Sequence, residues 1–297
     1  MNLKKFLFIT ACLCTGMLAQ GQVKLSFNPV KGETYLYRFS TEQSVKQSMM
    51  GQEMPVSTTM EMLTEMKIKE KSQDEVSLDY FYKEMVMGVS SPVMNIRYDS
   101  KNPVEGLSEP EKWMVQVFNS LVGKTMNVIF KPDGSVKSVS GFQAIMDEIQ
   151  KSMADNTAVQ QLVGGFLQSF NEDAMKNMFE QSFKIYPDNE VKVGDSWNGD
   201  VSFAVAGMKN DMKNTYTLKS VQNGMALLDV VSVIDMKLGA GMEGEISGNQ
   251  KGEISLNVQT GMPINSVLTQ NMKGTISMQG TEILMDMETK ATTILQQ

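Results

Sequence analysis

The chain of 297 residues contains no histidine, and both of its cysteines, Cys12 and Cys14, lie close to the start. Without histidine there is no Ser-His-Asp or Cys-His triad, no His-bearing zinc site and no imidazole base. If the first residues are removed, no thiol is left for catalysis, thiolate metal binding or a disulfide. No Walker loop, EF-hand loop or GxSxG elbow is present either. Carboxylates are frequent, but those at Glu61, Glu65, Glu282 and Asp286 recur at spacings that place them on one outward strand face. That is the solvated side of a half-buried sheet, so no catalytic residue, metal ligand or cofactor is expected. Positive charge is also scarce. Twenty-seven basic against 34 acidic residues give −7, which argues against nucleic acid and against anionic lipid headgroups as partners.

The chain opens on a short basic stretch, Lys4-Lys5, followed by FLFITACLCTGMLA and Ala19-Gln20-Gly21. This reads as a secretory signal peptide over 1–21. Later apolar runs all fall short of the roughly eighteen residues a spanning helix needs, so no transmembrane segment is predicted. Ile9-Thr10-Ala11-Cys12 loosely matches a lipoprotein box, but the apolar run before Cys12 is short for one. Ordinary cleavage is therefore expected over lipid anchoring at Cys12. The expected location is extracytoplasmic, periplasmic or secreted.

What the chain does have is alternation. Tyr35, Tyr37, Phe39 and Val45 share one parity; Met54, Val56, Met60, Met62, Met66 and Ile68 share another, with charges between them. Period-two patterning of this length predicts two long half-buried strands joined as a hairpin at Gly51. Strands of fifteen or so residues run about 50 Å at strand rise, which implies a strongly bent sheet or a barrel. A third strand is expected over Val76–Val89, hairpins at Pro132-Asp133-Gly134 and Asn223-Gly224, and alternating strands through Ile264–Met278 and Ile283–Met287. Helical spacing replaces alternation after a capping box at Ser108–Glu111, and again between 142 and 184 with a cap at Asn171.

Val30-Lys31-Gly32-Glu33-Thr34-Tyr35 is echoed by Lys192-Val193-Gly194-Asp195-Ser196-Trp197, and GKTMNVIFKPDGSV at 123–136 by GEISLNVQTGMPIN at 252–265. The fold class predicted is mainly β (α+β), with long curved antiparallel sheets or half-barrels, two related lobes and a helical insertion. The expected divisions are an N-terminal β lobe over 22–140 with a short helix near 109–122, helices over 141–186, and a C-terminal β lobe over 187–297. Alternating strands can also produce such echoes by chance.

KGETY, LVGKTMNVIFKPDGSV and above all IYPDNEVKVGDSW at 185–197 resemble the landmarks of a family of exported Bacteroidota proteins classed as a domain of unknown function. That resemblance implies export and a β-rich body, and it supplies no catalytic residues. A looser likeness of architecture is to the curved sheets of periplasmic lipoprotein carriers. Gly239-Ala240-Gly241-Met242-Glu243-Gly244 matches GxGxxG, but a strand-like stretch follows where a dinucleotide site needs a helix. A glycine loop is expected there.

Methionine is abundant instead, at 27 residues. Thioethers suit Cu(I), and Met60/Met62 and Met285/Met287 each place two sulfurs about 7 Å apart on one strand face. Methionine also lines adaptable apolar surfaces and fills cores. Because the methionines follow strand parity, cavity lining or core filling accounts for them without a metal. The cavity-lining residues predicted are Tyr35, Tyr37, Phe39, Met54, Met60, Met62, Met66, Met285 and Met287. The partner expected is a lipid or hydrophobic peptide; the alternatives are a cell-envelope structural or interaction protein with no small ligand, or methionine-only Cu(I) binding.

Overall fold

The computed structural model describes residues 21–49, 51–103, 105, 107, 109–152, 171–205, 208–239, 243–278 and 281–296. Residues 1–20 of the expected signal peptide, Cys12 among them, and Met50, Ser108 and the glycine pair near 164 lie outside the described residues. Strands dominate: β1 Thr34–Met49, β2 Gln52–Lys71, β3 Val76–Ser91, β4 Met94–Asp99, β5 Thr125–Phe130, β6 Val136–Ser140, β7 Ser196–Asn198, β8 Val201–Val205, β9 Met208–Gln222, β10 Met225–Lys237, β11 Glu243–Asn257, β12 Pro263–Met278 and β13 Thr281–Gln296. Three helices accompany them among the described residues: α1 Glu109–Leu121, α2 Phe142–Ser152 and α3 Glu172–Phe183.

All thirteen strands belong to one antiparallel, open sheet with the order β6-β5-β3-β2-β1-β13-β12-β11-β10-β9-β7. β4 extends the sheet beside β3, and β8 does so beside β9. The first and last long strands, β1 and β13, pair from Leu36↔Gln296 to Met49↔Ile283 and make the seam between the two ends of the chain. The long hairpins form where turn chemistry allows. Gly51 takes φ +79° between β1 and β2, and Asn223 and Gly224 take φ 51° and 76° between β9 and β10. Both of those central residues lie in the left-handed region, as a type I′ turn requires.

The sheet bends at a particular place. Gly244, Gly248 and Gly252 on β11 and Gly274 on β12 stand where an added Cβ would lie 2.0–2.1 Å from a carbonyl oxygen of the facing strand. Only glycine lets the two backbones fold toward one another so sharply. The run read as a flexible glycine loop followed by a strand is thus, from Glu243 onward, part of β11. No helix follows the glycines, which removes the dinucleotide reading.

Bending brings opposite parts of one face together around a single large core that draws on β1–β6, the helices and β9–β11. Leu25 and Phe27 thread through it, and the Phe27 ring packs tilted against Phe130 and edge-on against Phe183 at ring distances of 4.8 and 5.4 Å. Residues 23–28 close one end of the sheet. Val23 pairs with Val191, the Phe27 N–H donates to Pro132 and the Asn28 N–H to Thr260. Helix α3, capped by the Asn171 side chain on the Ala174 N–H, bridges toward both sheet edges. Its Glu180 carboxylate accepts the N–H of Val136 on edge strand β6, which blunts that edge. The space beneath the helices is filled among the described residues: Phe130, Phe179 and Phe183 are at most 4% exposed.

Candidate ligand-binding face

The register from strand to strand defines which side chains share the inner face. Tyr35 pairs with Met66, Phe39 with Met62, Thr41 with Met60 and Gln47 with Met54. Across the seam Val45 pairs with Met287 and Gln47 with Met285. All nine predicted lining residues therefore lie on one continuous face of β2, β1 and β13, because antiparallel pairing keeps like parities on like sides.

Their environments differ along that face. Tyr37 and Met66 are sealed in the core, at 1% and 0% exposure. Tyr35, Phe39 and Met62 pack against the same core. Met54 and Met60 are half-buried. Met285 and Met287 pack on a second, smaller cluster built from Ile234, Ile246 and Met272 with Met212, Met236 and Ile276. Thus the face is closed toward the helices and only partly covered toward the far strand tips.

Between the two apolar zones runs a row of polar side chains that the sequence reading did not single out. Thr58, Gln43, Thr289, Gln270, Gln250, Ser232 and Asn214 are register partners in succession across β2, β1, β13, β12, β11, β10 and β9. The Gln43 amide donates to Thr289 Oγ1 at 3.2 Å and to the Met287 sulfur at 3.4 Å. Gln270 donates to the Met272 sulfur, and Gln250 to Ser232 Oγ at 3.5 Å. The available signal was a polar residue at an inward parity on each strand; the row itself appears only once the register is known.

No Asp, Glu, Lys or Arg occupies the inner face of β1, of β2 from Met54 to Ile68, or of β9–β13. The charges sit on the outer face, where Lys83–Glu65, Lys273–Asp286 and Lys219–Glu253 pair across strands at 2.9–3.1 Å. Glu65 and Asp286 are therefore outward, as the spacing predicts.

A cleft of about 530 Å³ opens at the tips of β8–β11. Met212, Met236 and Ile246 of the small cluster form its apolar side, and Asp211, Lys237 and Glu245 its polar side. A second, of about 360 Å³, lies over Met87, Gly88, Ile96 and Arg97. The nine predicted residues line neither; Met285 and Met287 reach the first through the cluster they share.

The titratable groups with displaced pKa values do not form an acid–base pair. Burial pushes Tyr37, Tyr80, Tyr186 and Tyr216 well up, and Tyr82 up to about 12. Asp99 is held down by the Asn102 side chain and the Lys101 N–H, and Asp211 by the Ser202 hydroxyl and Lys209; both carboxyls are solvated. Among the described residues no group of His, Cys, Asp and Glu is arranged to hold a metal ion, and no helix is long and apolar enough to cross a membrane.

No curated protein matches the chain. Among solved structures, a lipovitellin described for its lipid–protein interactions aligns at 11% identity and TM-score 0.48, over 91% of this chain and 25% of that one. The chain thus spans a quarter of that protein. OccK5 of Pseudomonas aeruginosa aligns at 8% identity and TM-score 0.26, over 91% of this chain and all of the other. An outer membrane channel from Pseudomonas putida F1 aligns at 7% and 0.24, over 91% and 98%. At such scores these likenesses say nothing of what this chain binds. A family model, by contrast, matches residues 73–263, well over half the chain, and the protein belongs to that family of unknown function, DUF6263.

Proposed function

We propose that this is an exported, non-catalytic protein that binds an apolar ligand, a lipid or a hydrophobic peptide, on the methionine-lined inner face of its bent sheet. The observation that carries this reading is the cleft at the tips of β8–β11. It opens on Met212, Met236 and Ile246 and has a volume within the range of small-molecule sites. Charged side chains, Asp211, Lys213, Asp235, Lys237 and Glu245 among them, also line the cleft, but the inner strand face that continues from it carries no charge, and methionine's flexible thioether adapts to ligands of varied shape. Export accords with the leader-like start and with the lack of cysteine beyond residue 14. A catalytic role is disfavoured by the absence of histidine and by the lack of paired, displaced acids and bases among the described residues.

The test is native mass spectrometry and lipid extraction of the purified protein, followed by titration with a solvatochromic apolar dye. Bound lipid or saturable dye binding, weakened by Met212→Glu and Ile246→Glu, is the expected outcome. No bound lipid and no saturable binding would leave a structural or interaction role in the cell envelope.

A further inference from the structure

We propose that the polar row across the inner face recognises the uncharged, hydrogen-bond-donating head of a single-chain amphiphile, with hydroxyl or amide N–H groups as its contacts. This rests on the apolar-ligand reading and names the ligand's head chemistry.

Each carboxamide of the row has its nitrogen turned to a partner and its oxygen turned away from it, while the hydroxyls of Thr58, Thr289 and Ser232 can donate or accept. Asn214 Nδ2 donates to the carbonyl oxygen of Gly199 at 2.8 Å. A carbonyl can only accept, so the amide nitrogen is held there and Oδ1 takes the other side. That oxygen has no partner, although Asn214 is only 3% exposed. A buried acceptor without a hydrogen bond is unfavourable, and a ligand donor would relieve it. The same logic orients Gln43 and Gln270, whose amide nitrogens face methionine sulfurs that cannot donate. The Gln250 nitrogen is engaged by Ser232. The carboxamide oxygens of these three half-buried glutamines are left to meet whatever lies on the face.

Charge selects further. A carboxylate or phosphate head would bring more acceptors to this row, with no cation on the inner face to offset them. Burying such a charge unpaired is strongly unfavourable. A cationic head would find carbonyl oxygens but no counter-charge. A neutral head with O–H or N–H groups satisfies both conditions. Asn214 lies two positions along β9 from Met212 of the cleft, and Ser232 and Gln250 lie four positions along β10 and β11 from Met236 and Ile246. A head at the row therefore places its acyl chain over Met212, Met236 and Ile246.

The experiment uses the full chain and three probes with one acyl chain, 1-lauroyl-glycerol, methyl laurate and laurate, each displacing the apolar dye. Lauroyl-glycerol is expected to bind about tenfold tighter than methyl laurate, the worth of roughly one net hydrogen bond, with laurate weakest. Gln250→Met and Gln270→Met keep side-chain length and remove the acceptor. Each should bring lauroyl-glycerol toward the methyl laurate affinity while leaving methyl laurate unchanged, with unfolding midpoints confirming that both variants fold. Equal binding of lauroyl-glycerol and methyl laurate, or a preference for laurate, overturns the head-group assignment and leaves apolar binding standing. Failure of all three probes to displace the dye, or of the dye to bind, overturns the apolar-ligand reading itself.

Discussion

Gly32 and Gly194 hold the same backbone position at the start of the two halves of the chain. The Gly32 N–H donates to the Ile68 carbonyl, and the Ile68 N–H returns a bond to Glu33. Gly194 donates to Leu218, and the Leu218 N–H returns a bond to Asp195. Both glycines are left-handed, at φ +85° and +94°, and each leads into an aromatic, Tyr35 or Trp197. The echo between KGETY and VGDSW is thus a shared device for locking an incoming strand onto the next long one. The second pair of echoed segments ends in turns at Gly134 and Gly261, also left-handed, and residues 27 and 28 bond to one turn each.

Left-handed glycines need not be equally sensitive. At Gly194 an added Cβ meets nothing within 4 Å, whereas at Gly134 it would lie 1.6 Å from the Phe183 carbonyl oxygen. Gly194→Ala should cost only the left-handed strain, about 1–2 kcal/mol. Gly134→Ala must also push α3 off the hairpin, so its loss should be clearly larger or prevent folding. Urea denaturation of the two variants measures the difference.

Gly248 offers a case in which a rule of thumb changes sign. Replacing a strand glycine by alanine ordinarily gains about 0.5–1 kcal/mol. Here the new Cβ would stand 2.0 Å from the Asn271 carbonyl oxygen at the sheet's bend. Gly248→Ala should therefore lower the thermal midpoint, and a raised midpoint would show that the corner does not depend on this glycine.

Two tyrosines grip the same turn. Tyr37 donates to the Pro263 carbonyl and Tyr186 to the Gly261 carbonyl, both at 2.8 Å and both buried. Each Tyr→Phe change strands a buried carbonyl and should cost about 1–3 kcal/mol by chemical denaturation. Because both act on one turn, the double variant should lose less than the sum.

The pH dependence of stability follows from the same tyrosines. Burial raises Tyr37, Tyr80, Tyr82, Tyr186 and Tyr216 above their unfolded value. The folded state therefore binds protons more tightly. Its advantage is complete below about pH 10, the unfolded tyrosine value, and is lost as pH rises beyond it. Asp99 and Asp211 are lowered, so their contribution is present above about pH 4 and is lost as pH falls below it. With no histidine in the chain, stability should be nearly flat between about pH 6 and 8. Denaturant midpoints measured from pH 3 to 11 would test all three limbs; a steep change near neutrality would contradict the assignment.

The long strands, their hairpins, α1 and the Asn171 cap were legible because each is a local pattern: alternation, Asn-Gly or Pro-Asp-Gly turns, and capping residues. The nine residues named from the sequence share one face because parity survives antiparallel pairing. Their fates were not legible. Tyr37 is sealed in the core with its hydroxyl on the Pro263 carbonyl, whereas Met54, seventeen residues on in sequence yet on the neighbouring strand, stays half-buried. β4 and the short edge strands β7 and β8 were missed because a few residues carry too little periodicity to register.

By itself, then, the sequence determined the β-rich class, the inward and outward parity of each long strand, and the exclusion of histidine chemistry. Only the tertiary structure decided that β1 meets β13, that glycines four apart on β11 turn a corner, and that Gln43, Gln270, Gln250 and Asn214 form one row. Parity is a property of a single strand and can be read along the chain. Alignment across strands depends on register, and register is set by how the whole sheet bends and closes on its core.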